Sequence, residues 1–267
     1  MEILIVGAGN MGKTYAESFL LSQSITKDDL LILERAPEKV EALQANGYRH
    51  VICEPSPLMG QVKLVILAIK PQDIKGLFER IAPFMHAEQV VLSVMAGVTI
   101  DTIKQDLPTT KIIRAMPNLP AQIGMGMTAF TAEPSVTRAE LFFVQNLLNT
   151  TGKSLYFDKE EKLDAVTAIS GSGPAYVYFF MDAMIQAAEK MGFSPSQAEL
   201  LVTQTFMGAV HLENRSPYSC REWIEKVASK GGTTEAALGV FQAQDLEEKI
   251  AAGLQAAHQR AIELGRG

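Results

Sequence analysis

Three short segments rich in glycine and hydroxyl side chains carry the residues best suited to chemistry in this chain. They occupy residues 7–12, 170–174 and 229–234 and read Gly-Ala-Gly-Asn-Met-Gly, Ser-Gly-Ser-Gly-Pro and Ser-Lys-Gly-Gly-Thr-Thr. Glycine-rich turns that open helices expose backbone N–H groups, and such groups bind phosphates and carboxylates. The first segment therefore indicates a nucleotide site, and the other two indicate where a small anionic substrate meets the nucleotide.

The first segment, called here the fingerprint loop (residues 7–12), has the spacing Gly-x-Gly-x-x-Gly. It follows the apolar run Ile3–Val6 and opens a helix-compatible stretch, as the dinucleotide motif requires. Gly7 suits the tight turn, Gly9 lets the backbone approach a pyrophosphate, and Gly12 allows close packing of helix on strand. The loop predicts a bound nicotinamide dinucleotide, and the alternative is a glycine-rich turn without a ligand.

Two charged residues after the second apolar run bear on which dinucleotide is bound. Glu34 lies about 20 residues beyond the fingerprint loop, where an acidic side chain can accept hydrogen bonds from the ribose 2′-hydroxyl of NAD. The adjacent Arg35 could instead pair with the 2′-phosphate of NADP. Both could also be solvated turn charges, so the choice between NADPH and NADH stays open at this point.

Three further segments, residues 68–71, 95–97 and 116–118, follow apolar runs. We expect them beside the fingerprint loop, because ligands of open α/β sheets bind beyond the carboxyl ends of the strands. Lys70 either contacts the cofactor ribose or is a solvated loop lysine. Residues 116–118 either form a wall of the nicotinamide pocket or are an ordinary strand exit. The predicted cofactor-binding residues are Gly7, Gly9, Asn10, Met11, Gly12, Glu34, Arg35, Ala68, Ile69, Lys70, Pro71, Met95, Ala96, Gly97 and Asn118.

The segment at 229–234, called here the substrate loop, precedes a good helix start, and Thr233 is its predicted N-cap. A substrate carboxylate can bind the N–H groups at such a helix start, which leaves a threonine hydroxyl free to touch a reacting atom. A plain interhelical turn is the alternative. The segment at 170–174 suits a turn before a helix, where small residues let a ligand or a partner helix pack closely.

Composition excludes several other classes of protein. The net charge of −6 argues against a general nucleic-acid binder. Two cysteines and four isolated histidines form no metal-binding or disulfide pattern, so we expect no metal. No apolar run approaches the roughly 20 residues of a membrane span, and the N-terminus lacks the features of a signal peptide. We therefore expect a cytoplasmic protein that does not bind membranes.

The elements that must position these segments divide the chain into two predicted domains. Continuous apolar runs separated by helix-length stretches predict a doubly wound, mostly parallel α/β sheet of the Rossmann type over residues 1–158. Residues 159–267 contain helix signals only and predict an all-helical second domain. The predicted buried strands are Ile3–Val6, Leu30–Leu33, Leu64–Ile69, Val90–Val94 and Ile112–Ala115, with late edge strands at Met127–Thr131 and Leu155–Phe157.

Residues that mark the starts and ends of helices are clear in the second half of the chain. Pro174 suits the first turn of a helix that runs to about Met191 and stops at Gly192. Ser194 and Ser219 begin capping boxes, and a last helix is predicted over residues 246–264. The helix after Pro174 is apolar nearly all round, which predicts burial in a homodimer formed through the helical half.

At full length the chain resembles the pyrroline-5-carboxylate reductase family. The resemblance rests on residues 7–12 and 68–71, on Arg-Ala-Met-Pro-Asn at 114–118, on residues 168–176 and on Gly-Gly-Thr-Thr-Glu at 231–235. It implies that NAD(P)H reduces the C=N bond of 1-pyrroline-5-carboxylate to give L-proline, the last step of proline biosynthesis. It also implies a homodimer through the helical domain, assembled further into a decamer of dimers.

The resemblance also implies roles for the substrate loop. The carboxylate of the cyclic imine binds the N–H groups of Gly232, Thr233 and Thr234, and the Thr234 hydroxyl lies near the ring nitrogen as the catalytic group. Lys230 stands where the family usually has proline, and Glu34 stands where many relatives have a hydroxyl or an amide and use NADPH. The predicted substrate-binding residues are Ser229, Lys230, Gly231, Gly232, Thr233 and Thr234.

Two rival functions remain at this stage. A β-hydroxyacid dehydrogenase-like oxidoreductase shares the two-domain plan but relies on a catalytic lysine in the second domain, which is not found here. A non-catalytic NAD(P)-binding regulator is favoured only by Lys230.

Overall fold

A computed structural model describes residues 1–265. Its sheet has eight strands in the order β3-β2-β1-β4-β5-β6-β7-β8. Every neighbouring pair is parallel except β6 and β7, which are antiparallel. The strands are β1 Ile3–Val6, β2 Leu30–Leu33, β3 His50–Ile52, β4 Leu64–Leu67, β5 Val90–Ser93, β6 Ile112–Met116, β7 Gly126–Ala132 and β8 Gly152–Tyr156. The predicted fold class, a mostly parallel doubly wound sheet followed by helices, is confirmed.

Helices cover both faces of this sheet. The helices are α1 Asn10–Leu21, α2 Pro37–Ala45, α3 Ile74–Ile81, α4 Ile100–Asp106, α5 Arg138–Asn149, α6 Lys162–Val166, α7 Gly173–Lys190, α8 Pro195–Glu213, α9 Cys220–Val227, α10 Thr233–Ala243 and α11 Leu246–Leu264. Tyr15 and Phe19 of α1 belong to the core on one face, and Phe78 and Ile81 of α3 belong to the core on the other. Burial on both faces explains why β1, β2, β4 and β5 are fully buried, apolar runs.

One strand prediction is wrong, and one strand was missed. The segment around Met127–Thr131 is not an edge strand, because β7 lies between β6 and β8, and only β8 is at that edge. Strand β3, at the opposite edge, was not predicted. It has only three residues, all partly exposed, so its apolar pattern is too short to distinguish from a loop.

The chain forms two compact units. One contains Met1–Ser172 together with the described residues from Ala257 onward, and the other contains Gly173–Ala256. The predicted helix signals are confirmed: Gly192 ends α7 with a φ of +99°, and the Ser194 and Ser219 side chains cap α8 and α9. No helix of the described residues is long and apolar enough to cross a membrane.

The sequence predicted a turn before a helix at residues 170–174, and this prediction is wrong. Residues Thr167–Gly171 form a π-helical turn between α6 and α7. The Ser172 N–H donates to the Thr167 carbonyl at 2.9 Å, which is the wider spacing of such a turn. A Cβ at Gly171 would lie 2.5 Å from the end of the Met116 side chain, so glycine permits close packing on β6.

Candidate dinucleotide site and substrate loop

The fingerprint loop joins β1 to α1, and two of its glycines are required by the packing. Gly7 has a φ of +94°, and a Cβ there would lie 2.7 Å from the Ile69 side chain and 2.9 Å from the Ala68 carbonyl oxygen. A Cβ at Gly12 would lie 1.9 Å from the Gly7 carbonyl oxygen. By contrast, a Cβ at Gly9 would meet no atom within 4 Å, so Gly9 faces open space.

The N–H groups of this loop are arranged for an anion. The Gly7 N–H donates to Leu33 at 2.8 Å, and the Lys13 N–H donates to Gly9 at 2.9 Å as the helix begins. Among the described residues, no acceptor is bonded to the N–H groups from Gly9 to Gly12. Unpaired N–H groups at a helix start are the site that a pyrophosphate occupies. The loop therefore fits the phosphates of a dinucleotide.

A cavity of about 630 Å³ opens beside the loop, at the carboxyl ends of β1, β2 and β4. Its volume lies in the range of small-molecule sites. Seven of the predicted cofactor residues line it, namely Gly7, Gly9, Glu34, Arg35, Ala68, Ile69 and Lys70. Ten lining residues were not predicted: Val6, Leu33, Lys39, Cys53, Pro55, Gln72, Asp73, Gly76, Leu77 and Arg80. Cys53 and Pro55 come shortly after β3, which was not predicted. A correct prediction of β3 would have indicated that these two residues border the cavity.

The remaining predicted cofactor residues do not line this cavity. Asn10 lines a second cavity of about 420 Å³ along α1, together with Lys13 and Lys39. Met95 is buried, and Gly97, with a φ of +75°, packs against Leu264. The others that line neither cavity are Met11, Gly12, Pro71, Ala96 and Asn118.

The Asn118 carboxamide is fully engaged by the protein. Its oxygen accepts from the Met127 N–H at 2.9 Å, and its nitrogen lies 3.2 Å from both the carbonyl and the hydroxyl oxygen of Ser170. In the same motif, Arg114 is buried and pairs with Glu160 at 2.8 Å and Asp164 at 3.0 Å. These contacts fasten β6 to α6 and to the π-helical turn.

Charged side chains surround the mouth of the larger cavity. Glu34 is 6% exposed, so it is not a solvated turn charge, whereas the Arg35 side chain is exposed and lies 3.3 Å from Asp73. Arg80 pairs with Glu54 on the same rim.

Burial raises the pKa of the Tyr15 hydroxyl on α1, so this phenol stays neutral and is unsuited to act as a base.

The substrate loop, in the helical unit, holds itself with its own hydrogen bonds. Gly231 has a φ of +72°, and its N–H donates to the Glu235 carboxylate at 2.6 Å. The Gly232 N–H donates to the Ser229 carbonyl at 2.9 Å, so this group is not free for a ligand. Among the described residues, no acceptor is bonded to the N–H groups of Thr233 and Thr234.

The predicted N-cap of α10 is wrong by one residue. Gly232 is the N-cap, with extended backbone angles, and Thr233 is the first helical residue. Glu235, in the first turn of α10, accepts from the Gly231 N–H just before the cap. Gly232 has no side chain, so no side-chain hydrogen bond is made from the cap position.

The sheet, the fingerprint loop and the cavity at the strand ends define a Rossmann-type α/β oxidoreductase with a helical C-terminal part. Sequence models of two families match the chain: "Pyrroline-5-carboxylate reductase dimerisation" over residues 160–264 and "NADP oxidoreductase coenzyme F420-dependent" over residues 2–97. The chain is 33% identical to the pyrroline-5-carboxylate reductase of Pseudomonas aeruginosa, over 98% of this chain and 96% of the relative. It therefore belongs to the pyrroline-5-carboxylate reductase family, which confirms the resemblance seen in its motifs.

Further relatives agree with this assignment. The chain is 33% identical to the reductase of Pasteurella multocida, over 98% of this chain and 97% of the relative. Among solved structures, a pyrroline-5-carboxylate reductase from Coxiella burnetii matches with a TM-score of 0.89 and 29% identity, covering 98% of both chains. The enzyme from Streptococcus pyogenes matches with a TM-score of 0.85 and 30% identity, also covering 98% of both.

Proposed function

We propose that this chain catalyses the NAD(P)H-dependent reduction of 1-pyrroline-5-carboxylate to L-proline, the last step of proline biosynthesis. The observation that carries this proposal is full-length membership of the family, together with a fingerprint loop in which the N–H groups from Gly9 to Gly12 have no acceptor among the described residues. Neither rival function is favoured, because relatives that match over nearly the whole chain are named as reductases of this substrate.

The sheet unit would hold the cofactor. The N–H groups from Gly9 to Gly12 suit the pyrophosphate, and the wall around Glu34 and Arg35 suits the adenosine ribose. When bound, NAD(P)H supplies a hydride that adds to the carbon of the C=N bond. The ring nitrogen carries the proton, which makes a separate proton donor unnecessary for the transfer.

The substrate loop would hold the carboxylate of the cyclic imine. The N–H groups of Thr233 and Thr234 are unpaired at the start of α10, where the helix dipole favours an anion. The family resemblance placed the Gly232 N–H in this role as well, but its bond to Ser229 argues against that. The Thr234 hydroxyl is the group proposed to touch the ring nitrogen and orient the imine.

No general base is needed for this chemistry. A protonated imine already bears the positive charge that hydride addition neutralises, so the protein's task is to position two reactants.

We further propose that the domain at residues 159–267 forms a homodimer and that the dimers assemble into a decamer of dimers. The match to a dimerisation family supports the homodimer, as do large apolar side chains exposed along α7 and α8. Phe179 is 71% exposed and Leu200 is 69% exposed in the single chain. A stable monomer at micromolar concentration in light scattering would contradict the dimer.

A cytoplasmic location is proposed as well, since the exposed Cys53 and Cys220 suit a reducing compartment.

The activity is tested by following absorbance at 340 nm with pyrroline-5-carboxylate, using NADPH and NADH in parallel. We expect turnover with at least one dinucleotide, and the ratio of rates gives the preference. Protein that binds a dinucleotide yet oxidises it with no cyclic imine would favour the regulator instead.

A further inference from the structure

Glu34 is the most deeply buried charged side chain in the wall of the larger cavity. It directly follows β2, and only 7% of its side chain is exposed. Its own N–H donates to the Ile52 carbonyl at 3.0 Å, which ties its backbone to the end of β3. A buried carboxylate requires hydrogen-bond donors, and the identity of these donors shows what the side chain does.

Both carboxylate oxygens bind backbone N–H groups. Oε2 accepts from the Ala8 N–H of the fingerprint loop at 2.9 Å, and Oε1 accepts from the Ala36 N–H before α2 at 3.0 Å. The nearest cation, Lys39 Nζ, lies 3.8 Å from Oε2. The carboxylate thus joins two loops that both border the cavity.

The contact with Ala8 determines how the fingerprint loop is presented. Ala8 lies between Gly7, whose φ is +94°, and Gly9, which faces open space. Because the Ala8 N–H is bonded to Glu34, it is not available to a phosphate, and the bond holds the loop before a ligand arrives. The N–H groups from Gly9 to Gly12 are then aligned in advance, which lowers the entropy cost of binding.

We propose that Glu34 is a positioning residue that preorganises the fingerprint loop, so that NADH and NADPH both depend on it for affinity. The proposal rests on the proposed function, because it concerns the dinucleotide site of that reaction. It differs from a role confined to the ribose 2′-hydroxyl. A carboxylate that acts only there contributes to NADH affinity and opposes the 2′-phosphate of NADPH.

The test measures dissociation constants of NADH and NADPH for the full chain by calorimetry, with thermal unfolding recorded for each variant. Glu34→Gln keeps one acceptor oxygen but points an amide donor at a backbone N–H, and Glu34→Ala removes both acceptors. We expect both dissociation constants to rise, by about 3- to 10-fold in Glu34→Gln and about 10- to 100-fold in Glu34→Ala. The rise for NADPH is expected to be the smaller one, because the like charge near its 2′-phosphate is also removed.

A matched control separates positioning from general destabilisation. Gln89 is also fully buried, and its side chain bonds the Met59 and Val62 carbonyls and the His86 N–H, before the amino end of β5. Gln89→Ala should lower the melting temperature and leave both dissociation constants unchanged. Loss of affinity in this control equal to that of Glu34→Ala would overturn the proposal.

Two other outcomes would also overturn it: unchanged binding in Glu34→Ala, or weaker NADH binding with equal or tighter NADPH binding. The second outcome would assign Glu34 to the ribose alone. Failure of the proposed function is distinct, since it appears in the wild-type chain as dinucleotide binding without reduction of pyrroline-5-carboxylate.

Discussion

Two glycine loops in this chain are each closed by a glutamate that accepts a backbone N–H, but their surroundings differ. Glu34 is buried and joins the fingerprint loop to a second loop through two bonds. Glu235 is exposed and binds the substrate loop through the Gly231 N–H. The first loop is therefore set by the core of its own unit, whereas the second rests on a contact that water can reach.

The same contrast extends to the units that contain the loops. Strands β1, β2, β4 and β5 are buried along their whole length. In the helical unit, α7 has no buried residue, and α8 buries only Ala198 and Val202. The proposed dinucleotide site thus lies within one well-buried unit, whereas the exposed apolar side chains of the helical unit are typical of an interaction surface.

The largest expected effect concerns the substrate loop. Thr234→Ala removes the hydroxyl proposed to orient the imine, and we expect kcat/KM to fall by roughly 10- to 1,000-fold. Steady-state kinetics with pyrroline-5-carboxylate check this. Thr205→Ala serves as the control, because its hydroxyl only returns to the Leu201 carbonyl within α8. A fall below threefold in Thr234→Ala would remove this hydroxyl from the mechanism.

A pair of glycine variants tests the fingerprint loop. In Gly12→Ala the new Cβ meets the Gly7 carbonyl oxygen, so we expect the melting temperature to fall by about 10 °C. In Gly9→Ala the Cβ enters open space, so stability should be kept while the dissociation constant of NADPH rises at least about tenfold. Calorimetry of both variants gives the two quantities. Equal dinucleotide affinity in Gly9→Ala and wild type would show that the phosphates bind elsewhere.

The exposed contact of Glu235 should matter less. Glu235→Ala frees the Gly231 N–H, and we expect the KM for pyrroline-5-carboxylate to rise by about 3- to 10-fold with the KM for NADPH unchanged. Glu235→Gln keeps an acceptor and should restore most of the loss. Glu222→Ala is the matched control, since Glu222 holds the equivalent first-turn position of α9. The idea fails if Glu222→Ala raises the substrate KM equally.

The smallest effect is an acid sensitivity of α9. The Ser219 backbone N–H and hydroxyl hold the pKa of Glu222 below its ordinary value of 4.5. A lowered pKa contributes stability above the ordinary value, and this contribution is lost as the pH falls through the folded-state pKa. We expect wild type to melt about 1–3 °C above Glu222→Gln at pH 7, with the gap closing as the pH falls below the ordinary value of 4.5 and through the folded-state pKa. A gap independent of pH would contradict this.

Much of the sheet unit could be predicted because its signals are local and strong. Uninterrupted apolar strands and the Gly-x-Gly-x-x-Gly spacing can be recognised without knowing which distant residues they contact. Strand β3 was not predicted, because an edge strand of three residues has too short an apolar pattern to be recognised. The antiparallel insertion of β7 depends on the pairing of distant segments, which no local pattern encodes.

The site was harder to predict at the level of hydrogen bonds. The position of Glu34 after β2 was visible, but its bonds to Ala8 and Ala36 depend on how two loops meet. The position of the α10 cap at Gly232, one residue before Thr233, depends on backbone angles that the residue types alone do not specify.

The contact of Gly97 with Leu264 has a consequence for how the protein is made. Gly97 lies just after β5, and its Cα faces the backbone of Leu264 so closely that a Cβ would sit 3.0 Å from it. The unit that contains the sheet therefore includes residues from Ala257 onward. During synthesis, these last residues emerge from the ribosome after residues 173–256, so the sheet unit is completed only after the helical unit has emerged. The helical unit therefore emerges between the two segments of the sheet unit.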